Sequence, residues 1–374
     1  MSYIDKLLAG AKVEWKALGE VINLEKGKQL NKELLSENGL YPAYNGGISF
    51  SGFTDLYNYN ENTIIISQGG ASAGFVNFVT TKFYANAHCY VVLPNINKIE
   101  SRFVYHFLKQ NQERLMTKQH GAGIPALRTN EILEIQIPIP CPENPEKSLA
   151  IQKEIVRILD TFTELTAELT AELTARKKQY NHYRDQLLSF EVGNVEWKPL
   201  CEIIGINRGR RLIKSQLEET GKYAVFQNCM IPLGYYHESN VNADTTFVIS
   251  AGSAGEIGYS SINFWAADDV YYFTTPENFK SKFLYYFLLT QQQKIAGQVR
   301  RSSVPRLSKT AFEKMPIPIP SLEEQERIVS ILDKFDTLTT SITEGLPKEI
   351  EQRQKQYEYY RDMLLTFPND NIEA

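Results

Sequence analysis

The sequence predicts an α/β (α+β) protein of two similar mixed domains, separated by an antiparallel pair of long helices in a pseudo-two-fold, cyclic arrangement. Three observations predict this fold class. The second half of the chain repeats the first, two long segments carry the apolar stripe of a helix, and the chain opens with a fragment of the motif that closes each repeat.

The repeat is the strongest of these signals. Three motifs occur twice in the same order: Val-Glu-Trp-Lys at 13–16 and 195–198, Ile-Pro-Ile-Pro at 137–140 and 317–320, and Ile-Val-x-Ile-Leu-Asp at 155–160 and 328–333. The two tryptophans, Trp15 and Trp197, lie 182 residues apart. Solenoid repeats run only roughly 20–50 residues. A period this long therefore indicates duplication of a whole domain.

A third, partial copy predicts the cyclic arrangement. Tyr-Arg-Asp-x-Leu-Leu closes the first repeat at 183–188 and the second at 360–365, and the chain begins with the related Tyr3–Leu8. This opening fragment has no repeat before it, so we expect it near the end of the last helix. The predicted parts are an N-terminal stub (1–12), a first domain (13–146), a central long helix (147–192), a second domain (193–320) and a C-terminal long helix (321–374).

Two segments have apolar residues at helical spacing, from Ile151 to Leu173 and from Ile328 to Ile342. Each stripe needs a partner to cover it, and the other repeat's helix is the best candidate. The helices are not equivalent. The first carries Thr-Ala-Glu-Leu twice in succession at 166–173, whereas the second has a glycine and a proline at 344–347 that should break or kink it. A tetrapeptide repeat can change the length of a helix without disturbing either end.

The globular parts combine strands with one shared helix. Strands are predicted at 63–67, 90–93, 246–250 and 270–273, and a core helix at 102–108 and again at 282–288. The aromatic residues of these helices fit a core better than a stacking platform.

Composition excludes several classes of function. The chain has 374 residues and a formal net charge of −4, no segment apolar enough to cross a bilayer, no secretory signal and no metal-ligand spacing among its four cysteines and five histidines. It also lacks a P-loop and the Asn/Asp-Pro-Pro-aromatic motif of adenine methyltransferases. We therefore predict a cytoplasmic, non-catalytic chain without a metal or cofactor of its own.

The loops differ between the repeats while the framework stays the same. A glycine-rich turn follows a strand in each repeat, at 68–74 and 251–255; such turns are common in hairpins and can also approach a phosphate. Lys118–Pro125 corresponds to Gln298–Pro305, yet nearly every polar residue before the proline changes. Arginine can read guanine, asparagine and glutamine can read adenine, and lysine can contact phosphate. One framework with two polar loop sets predicts two readers of different DNA sequences, although each single residue also fits an ordinary solvated loop.

The candidate DNA-binding residues of the first repeat are Lys28, Asn45, Gln68, Ser72, Lys118, Gln119, His120 and Arg128. Those of the second repeat are Arg208, Arg210, Arg211, Gln227, Asn228, Ser253, Arg300, Arg301, Ser302, Ser303 and Arg306. The candidate residues of the helical spacer and its partner contacts are Leu165, Leu169, Leu173, Tyr180, Tyr183, Arg184, Tyr357, Tyr360 and Arg361.

The chain resembles the DNA-specificity subunits of type I restriction–modification systems, of the type IC branch. The resemblance covers nearly the whole chain. Its most specific markers are Ile137–Pro140 leading into Ile155–Phe162, the Thr-Ala-Glu-Leu units, Arg176–Phe190 and the region from Gln356 to Phe367.

The resemblance implies that each domain is a target recognition domain that reads one half of a split, asymmetric double-stranded DNA site. The helix pair would set the gap between the halves. Two modification subunits would bind S-adenosylmethionine and methylate adenine, and restriction/translocase subunits would supply ATP- and Mg-dependent activity. A freestanding sequence-specific DNA-binding regulator is the alternative, which the acidic charge disfavours. A nuclease or methyltransferase of an unfamiliar type is a more distant one.

Overall fold

A computed structural model of the protein describes residues 3–118, 120, 125–191, 193, 195–301, 303–341 and 343–367. It divides into two compact units. Unit 1 combines Met1–Leu169 with Ile350–Ala374, and unit 2 is Thr170–Glu349. Each unit contains one globular part and the helical segments packed against it.

The strands and helices follow the same order in both units. The strands are β1 (Val13–Ala17), β2 (Ile22–Lys26), β3 (Tyr41–Tyr44), β4 (Gly52–Thr54), β5 (Thr63–Ser67), β6 (Val76–Val79), β7 (Tyr84–Ala85), β8 (Cys89–Pro94), β9 (Gln136–Pro140), β10 (Glu196–Pro199), β11 (Gly205–Arg208), β12 (Tyr223–Phe226), β13 (Gly234–Tyr236), β14 (Thr245–Ile249), β15 (Ile257–Ser260), β16 (Trp265–Ala266), β17 (Val270–Thr274) and β18 (Pro316–Ile319). The helices are α1 (Tyr3–Leu8), α2 (Ser101–Gln110), α3 (Gln112–Thr117), α4 (Thr129–Leu133), α5 (Pro145–Leu187), α6 (Leu200–Ile203), α7 (Ser281–Thr290), α8 (Gln292–Gly297), α9 (Thr310–Glu313), α10 (Leu322–Thr340) and α11 (Leu346–Leu365).

The sheet topology of unit 1 recurs in unit 2. The main sheet has the antiparallel order β2-β8-β5-β6 in unit 1 and β11-β17-β14-β15 in unit 2. A three-stranded sheet, β4-β3-β7 or β13-β12-β16, contains one parallel and one antiparallel pair. The predicted duplication of a mixed α/β domain is therefore confirmed.

The predicted strands and core helices are present within a residue or two of their expected bounds. β5 is the run Thr-Ile-Ile-Ile-Ser, whose branched side chains favour an extended backbone, and its three isoleucines are buried between β8 and β6. α2 buries Phe103 and Phe107, and α7 buries Phe283 and Tyr286. These aromatic residues belong to the core of each unit, as the sequence predicts.

Two of the repeated motifs are partners of each other. β1 pairs with β9, which places Trp15 opposite Pro138, and β10 pairs with β18, which places Trp197 opposite Pro318. The first and last strands of each globular part thus lie side by side and close it. Proline lacks an N–H group and cannot donate to a neighbouring strand. Both strands of a two-stranded ribbon are edge strands, so each has one side without a partner where proline is tolerated.

The two long helical segments are not equivalent, as the sequence predicts. α5 is one continuous helix of 43 residues. The C-terminal segment 321–374, expected as one long helix, contains two helices. The first, α10, ends at Thr340, and the second, α11, begins at Leu346. Gly345 between them has φ +82°, a conformation that L side chains rarely adopt, and Pro347 lies in the first turn of α11 where its missing N–H costs nothing. The predicted break at 344–347 is confirmed.

The opening fragment lies in the core of unit 1. Ile4 and Leu8 of α1 are buried in the same apolar cluster as Leu364 and Leu365 at the end of α11. This shared cluster confirms that the stub lies near the end of the last helix. Among the residues that the structure describes, no helix combines the length and the apolar character that crossing a bilayer requires.

Candidate DNA interface and helical joint

Four loops of unit 1 carry the predicted DNA-binding residues and are named here loop edge 1 (residues 27–28, 45–51, 68–72 and the described part of 118–128). Backbone hydrogen bonds join two of them, 68–72 and 118–128. The Gly70 N–H donates to the Pro125 carbonyl at 2.8 Å, and the Leu127 N–H donates to the Gln68 carbonyl at 2.8 Å. Gly46 packs so closely that an added Cβ would lie 2.8 Å from the His88 carbonyl oxygen. Loops far apart in sequence are therefore held together, since the 68–72 loop is bonded to the 118–128 loop and lies against Gly46.

Unit 2 builds the corresponding loop edge 2 (residues 208–211, 227–233, 251–254 and the described part of 300–306), in which two of the backbone hydrogen bonds of loop edge 1 recur. The Gly252 N–H donates to the Pro305 carbonyl at 3.1 Å, and the Leu307 N–H donates to the Ser250 carbonyl at 2.8 Å. The Ser253 N–H donates to the Asn228 carbonyl at 2.8 Å. The first two of these bonds have equivalents in loop edge 1, whereas few of the polar side chains do.

A glycine holds the basic loop of each edge against the sheet. The N–H groups of Gly27 and Gly209 donate to the Cys89 and Val270 carbonyls, each at 2.9 Å. A Cβ at Gly209 would lie 2.1 Å from the Ala267 carbonyl oxygen, so only glycine fits. The backbone next to Lys28 and Arg210 is fixed in this way while their side chains stay exposed.

The two edges differ in electrostatics. On loop edge 1 the Glu131 carboxylate pairs with Lys118 at 2.8 Å and with His120 at 3.4 Å. Hydrogen bonds from Lys118 first, and then from His120, lower the pKa of the Glu131 carboxyl below its ordinary value. On loop edge 2, within the described part of the chain, no carboxylate pairs with the side chains of Arg300, Arg301 or Arg306. The positive charge of this second edge is thus left available to an outside anion.

Most of the predicted DNA-binding residues reach the surface of these edges. The exposed ones are Lys28, Asn45, His120, Arg128, Arg208, Arg210, Arg211, Asn228, Arg300, Arg301, Ser303 and Arg306, and the half-buried ones are Ser72, Lys118, Gln227 and Ser253. Gln119 and Ser302 lie outside the described residues. The exposed Arg208 also donates from Nε to the Asp268 carbonyl at 2.7 Å, so its guanidinium is partly committed.

Gln68 is the exception among them. Its Oε1 atom is buried without a hydrogen-bond partner among the described residues. The Tyr90 hydroxyl nearby donates to the Leu127 carbonyl at 3.0 Å. Burial raises the pKa of Tyr90, and a hydrogen bond from the Gln68 side chain partly opposes that rise. Gln68 is half-buried as a residue, but its side-chain oxygen is closed off from solvent, so its position fits base reading less well than that of the exposed Asn45.

Sequence reasoning missed the apolar tips of both edges. Ile48 is 59% exposed and Ile231 is 76% exposed, and they lie one position apart in the equivalent β3–β4 and β12–β13 hairpins. Each isoleucine follows an asparagine, Asn45 or Asn228, by three residues, and that shared spacing is the signal that could have found the pair. An exposed isoleucine in a loop is easily mistaken for a core residue when only hydrophobic pattern is considered.

Six of the nine predicted spacer residues form a joint between helices and globular part inside each unit; they are Tyr180, Tyr183, Arg184, Tyr357, Tyr360 and Arg361. In unit 1 the rings of Phe162 and Tyr360 stack, with centroids 4.9 Å apart, and Arg361 lies over Tyr357 at 5.8 Å. In unit 2 the corresponding rings of Phe335 and Tyr183 stack at 5.7 Å.

A second contact of the joint is also found in both units. Arg184 lies over Tyr180 at 5.7 Å, as Arg361 lies over Tyr357. Tyr180 is buried, whereas Leu169 and Leu173 are half-buried and Leu165 is exposed. Between Leu159 and Tyr180, a stretch that the structure describes throughout, α5 has no fully buried residue. The Thr-Ala-Glu-Leu segment is thus thinly packed, and its partner-binding role remains a prediction.

A polar network, which the sequence did not indicate, connects the helices of each joint. In unit 1 the Asp160 carboxylate of α5 accepts hydrogen bonds from Arg102 and from His106 Nε2, the latter at 2.8 Å. His106 Nδ1 lies 2.9 Å from the Tyr357 hydroxyl of α11. In unit 2 the Asp333 carboxylate of α10 accepts from Lys282 at 2.9 Å and from the Tyr286 hydroxyl at 2.5 Å.

The protonation states of the first network follow from its surroundings. Burial lowers the pKa of His106, and this outweighs the opposing hydrogen bond with Asp160. Burial alone would raise the pKa of Asp160, but hydrogen bonds from His106 and Arg102 outweigh it and hold that pKa below its ordinary value. A carboxylate only accepts, so a neutral His106 donates from Nε2 and accepts from Tyr357 at Nδ1.

We predict that acid destabilises unit 1 through His106. Because its folded-state pKa lies below the ordinary value of 6.5, His106 must stay neutral, and its contribution to stability is complete above that pH and is lost as the pH falls below it. Between pH 7.5 and pH 5.5 the melting temperature of the wild type should therefore fall more than that of the His106→Tyr variant. This variant carries tyrosine, the residue that occupies the equivalent position 286 in unit 2. His237→Gln, at an exposed histidine, is the matched control and should behave as the wild type. Equal pH slopes for the wild type and His106→Tyr would contradict the prediction.

The fold and the candidate site define a class of protein. Its members contain a duplicated α/β domain with equivalent loop edges and equivalent helical joints. The family model for the type I restriction modification DNA specificity domain matches residues 11–176 and 193–352. The chain therefore belongs to the family of type I restriction–modification specificity subunits, which are non-catalytic DNA-recognition proteins, as the sequence predicts.

Individual relatives agree over almost the whole chain. The chain is 38% identical to the specificity subunit of the type I restriction enzyme EcoR124I/EcoR124II of Escherichia coli, over 98% of both chains. It is 33% identical to the EcoprrI specificity subunit of the same species, over 92% of both. The crystal structure of a type I S subunit from M. genitalium shares the fold, with a TM-score of 0.69, 24% identity and coverage of 96% of this chain and 98% of that one.

Proposed function

We propose that this chain reads a bipartite, asymmetric DNA sequence, with loop edge 1 contacting one half-site and loop edge 2 the other. One observation carries the proposal. The two edges share their backbone hydrogen bonds but differ in side chains, as His120 and Ala126 of unit 1 correspond to Arg300 and Arg306 of unit 2. A fixed backbone with changed side chains is what two readers of different sequences require, because sequence is read by side chains at base edges.

Within each edge, different side chains are suited to phosphate contacts and to base contacts. Exposed Lys28 and Arg210, held beside closely packed glycines, are suited to phosphate contacts that position the duplex. Asn45, Asn228 and the arginines of loop edge 2 are suited to base edges. The apolar tips at Ile48 and Ile231 add a surface that can contact thymine methyl groups.

The formal charge of −4 favours assembly with partners over independent binding. We infer that two modification subunits bind this chain and close around the duplex, and that restriction/translocase subunits join them in the cytoplasm. The methyl donor S-adenosylmethionine, ATP and Mg would bind to those partners. Among the described residues, no three acidic, histidine or cysteine side chains converge as a metal site would need.

A domain exchange tests the proposal. The full chain and its modification subunits are produced in a methylation-free host, and methylated adenines are mapped by single-molecule sequencing. Replacing residues 13–140 by the first domain of another family member should change one half of the methylated sequence and leave the other half unchanged. A change in both halves, or methylation without a bipartite pattern, would contradict the proposal.

A second measurement addresses catalysis. The purified chain alone is incubated with DNA and labelled S-adenosylmethionine, and no label should enter the DNA until modification subunits are added. Tight sequence-specific binding by the chain alone would favour the freestanding regulator instead. Incorporation of label by the chain alone would indicate an enzyme.

A further inference from the structure

Both units anchor their globular part to their helices through an aspartate at the same position of the repeat. Asp160 and Asp333 end the shared Ile-Leu-Asp motif, and each is followed two residues later by the phenylalanine that stacks on a tyrosine of the joint. The aspartate partners also lie at equivalent positions. Arg102 and His106 of α2 correspond to Lys282 and Tyr286 of α7.

The chemistry of the partners differs while the geometry stays the same. Unit 1 uses a guanidinium and an imidazole, and unit 2 uses an ammonium and a phenol. His106 and Tyr286 are both 0% exposed, so each donor is fixed in direction by the packing around it. Two different sets of side chains thus preserve one connection, from the core helix of the globular part to the long helix.

The connection is directional, which apolar packing alone is not. The Arg102 Nε atom lies 3.1 Å from both Asp160 oxygens, and its guanidinium packs over the Phe78 ring at 4.3 Å. Charge-assisted bonds to a planar group resist rotation and sliding of one helix on another. In unit 1, His106 extends the connection to Tyr357 of α11, so that three helices are joined.

We propose that Asp160 and Asp333 are positioning residues that fix the angle of each globular part on the helices of its own unit, and that they thereby restrict the gap between half-sites that the protein accepts. This inference rests on the proposed function. Base reading depends on the loop edges, which neither aspartate contacts through any described hydrogen bond or ion pair. Loss of either aspartate should accordingly relax the gap length and leave the bases of both half-sites unchanged.

The test uses the full chain assembled with its modification subunits, acting on DNA substrates that differ only in gap length. Asp160→Asn keeps the size of the side chain but removes its charge. The preference for the wild-type gap over gaps one base pair longer or shorter should fall by roughly tenfold, the effect of losing one charge-assisted hydrogen bond. Glu164→Gln, the same change at an exposed position of α5, should leave the preference unchanged.

The chain supplies its own rescue. The pair Arg102→Lys with His106→Tyr gives unit 1 the donors of unit 2, and it should keep the gap preference. Adding Asp160→Asn to that background should lose it. Thermal unfolding of each variant serves as a second readout.

The outcomes separate this inference from the proposed function. Methylation of a bipartite site with an unaltered gap preference in Asp160→Asn would overturn the positioning role alone. An equal loss of activity at every gap length, with or without a lowered melting temperature, would also overturn it, because general destabilisation does not select a gap. If the wild type accepts no bipartite site, the proposed function itself fails.

Discussion

Insertion of one further Thr-Ala-Glu-Leu unit after Leu173 is expected to widen the recognised gap by one or two base pairs while both half-sites keep their bases. The unit adds four residues to the continuous helix α5, which is about 6 Å of rise against about 3.4 Å for each base pair. The segment tolerates the insertion because none of its described residues is fully buried between Leu159 and Tyr180. Removal of one unit should narrow the gap by the same amount.

The measurement is the methylated sequence in cells that carry each variant with the modification subunits. The matched control inserts Gly-Ser-Gly-Ser at the same place, which adds equal chain length but breaks the helix. The control should lose a defined gap. If the Thr-Ala-Glu-Leu insertion leaves the gap unchanged, or alters the bases of a half-site, α5 does not set the spacing.

Arg300→Ala combined with Arg301→Ala is expected to relax the reading of one half-site only. Both guanidinium groups are exposed on loop edge 2, and within the described chain no carboxylate pairs with them. Removing a good bidentate contact to a base costs about 1–3 kcal/mol of discrimination, so preference at the affected positions should fall roughly 5- to 150-fold. The half-site read by unit 1 should be unaffected, since its edge is built from separate residues.

The comparison is made on substrates with single base changes in either half-site. Arg327→Ala combined with Lys334→Ala removes the same charge from exposed positions of α10 and serves as the control. A similar loss at both half-sites, or equal effects of the two double variants, would mean that Arg300 and Arg301 make only sequence-independent contacts.

The fold could be predicted from local signals and from internal repetition. The run Thr63–Ser67 is a buried strand because branched side chains and the absence of turn residues leave few alternatives. The break before Pro347 follows from glycine and proline chemistry. The recurrence of Trp15 as Trp197 indicated duplication, and the two units indeed share one topology.

The candidate site could be predicted only in part. Arg300, Arg301 and Arg210 stood out as basic residues that differ between the repeats, and they do lie exposed on one edge. In the sequence Gln68 resembles any other polar loop residue, yet the Oε1 atom of its amide is buried. Ile48 and Ile231 were overlooked because an apolar residue usually signals a core, whereas both lie at hairpin tips.

The duplication, the continuous helix with its tetrapeptide repeat and the family of the protein can all be inferred from the sequence. The contacts of Gly70 with Pro125, of Gly252 with Pro305, and of Asp160 with Arg102 and His106 become visible only in the folded chain. Helical stripes and strand propensities arise between near neighbours, so a linear pattern records them. Contacts between residues fifty or more positions apart depend on how the whole sheet and its helices pack, and no local pattern carries that information.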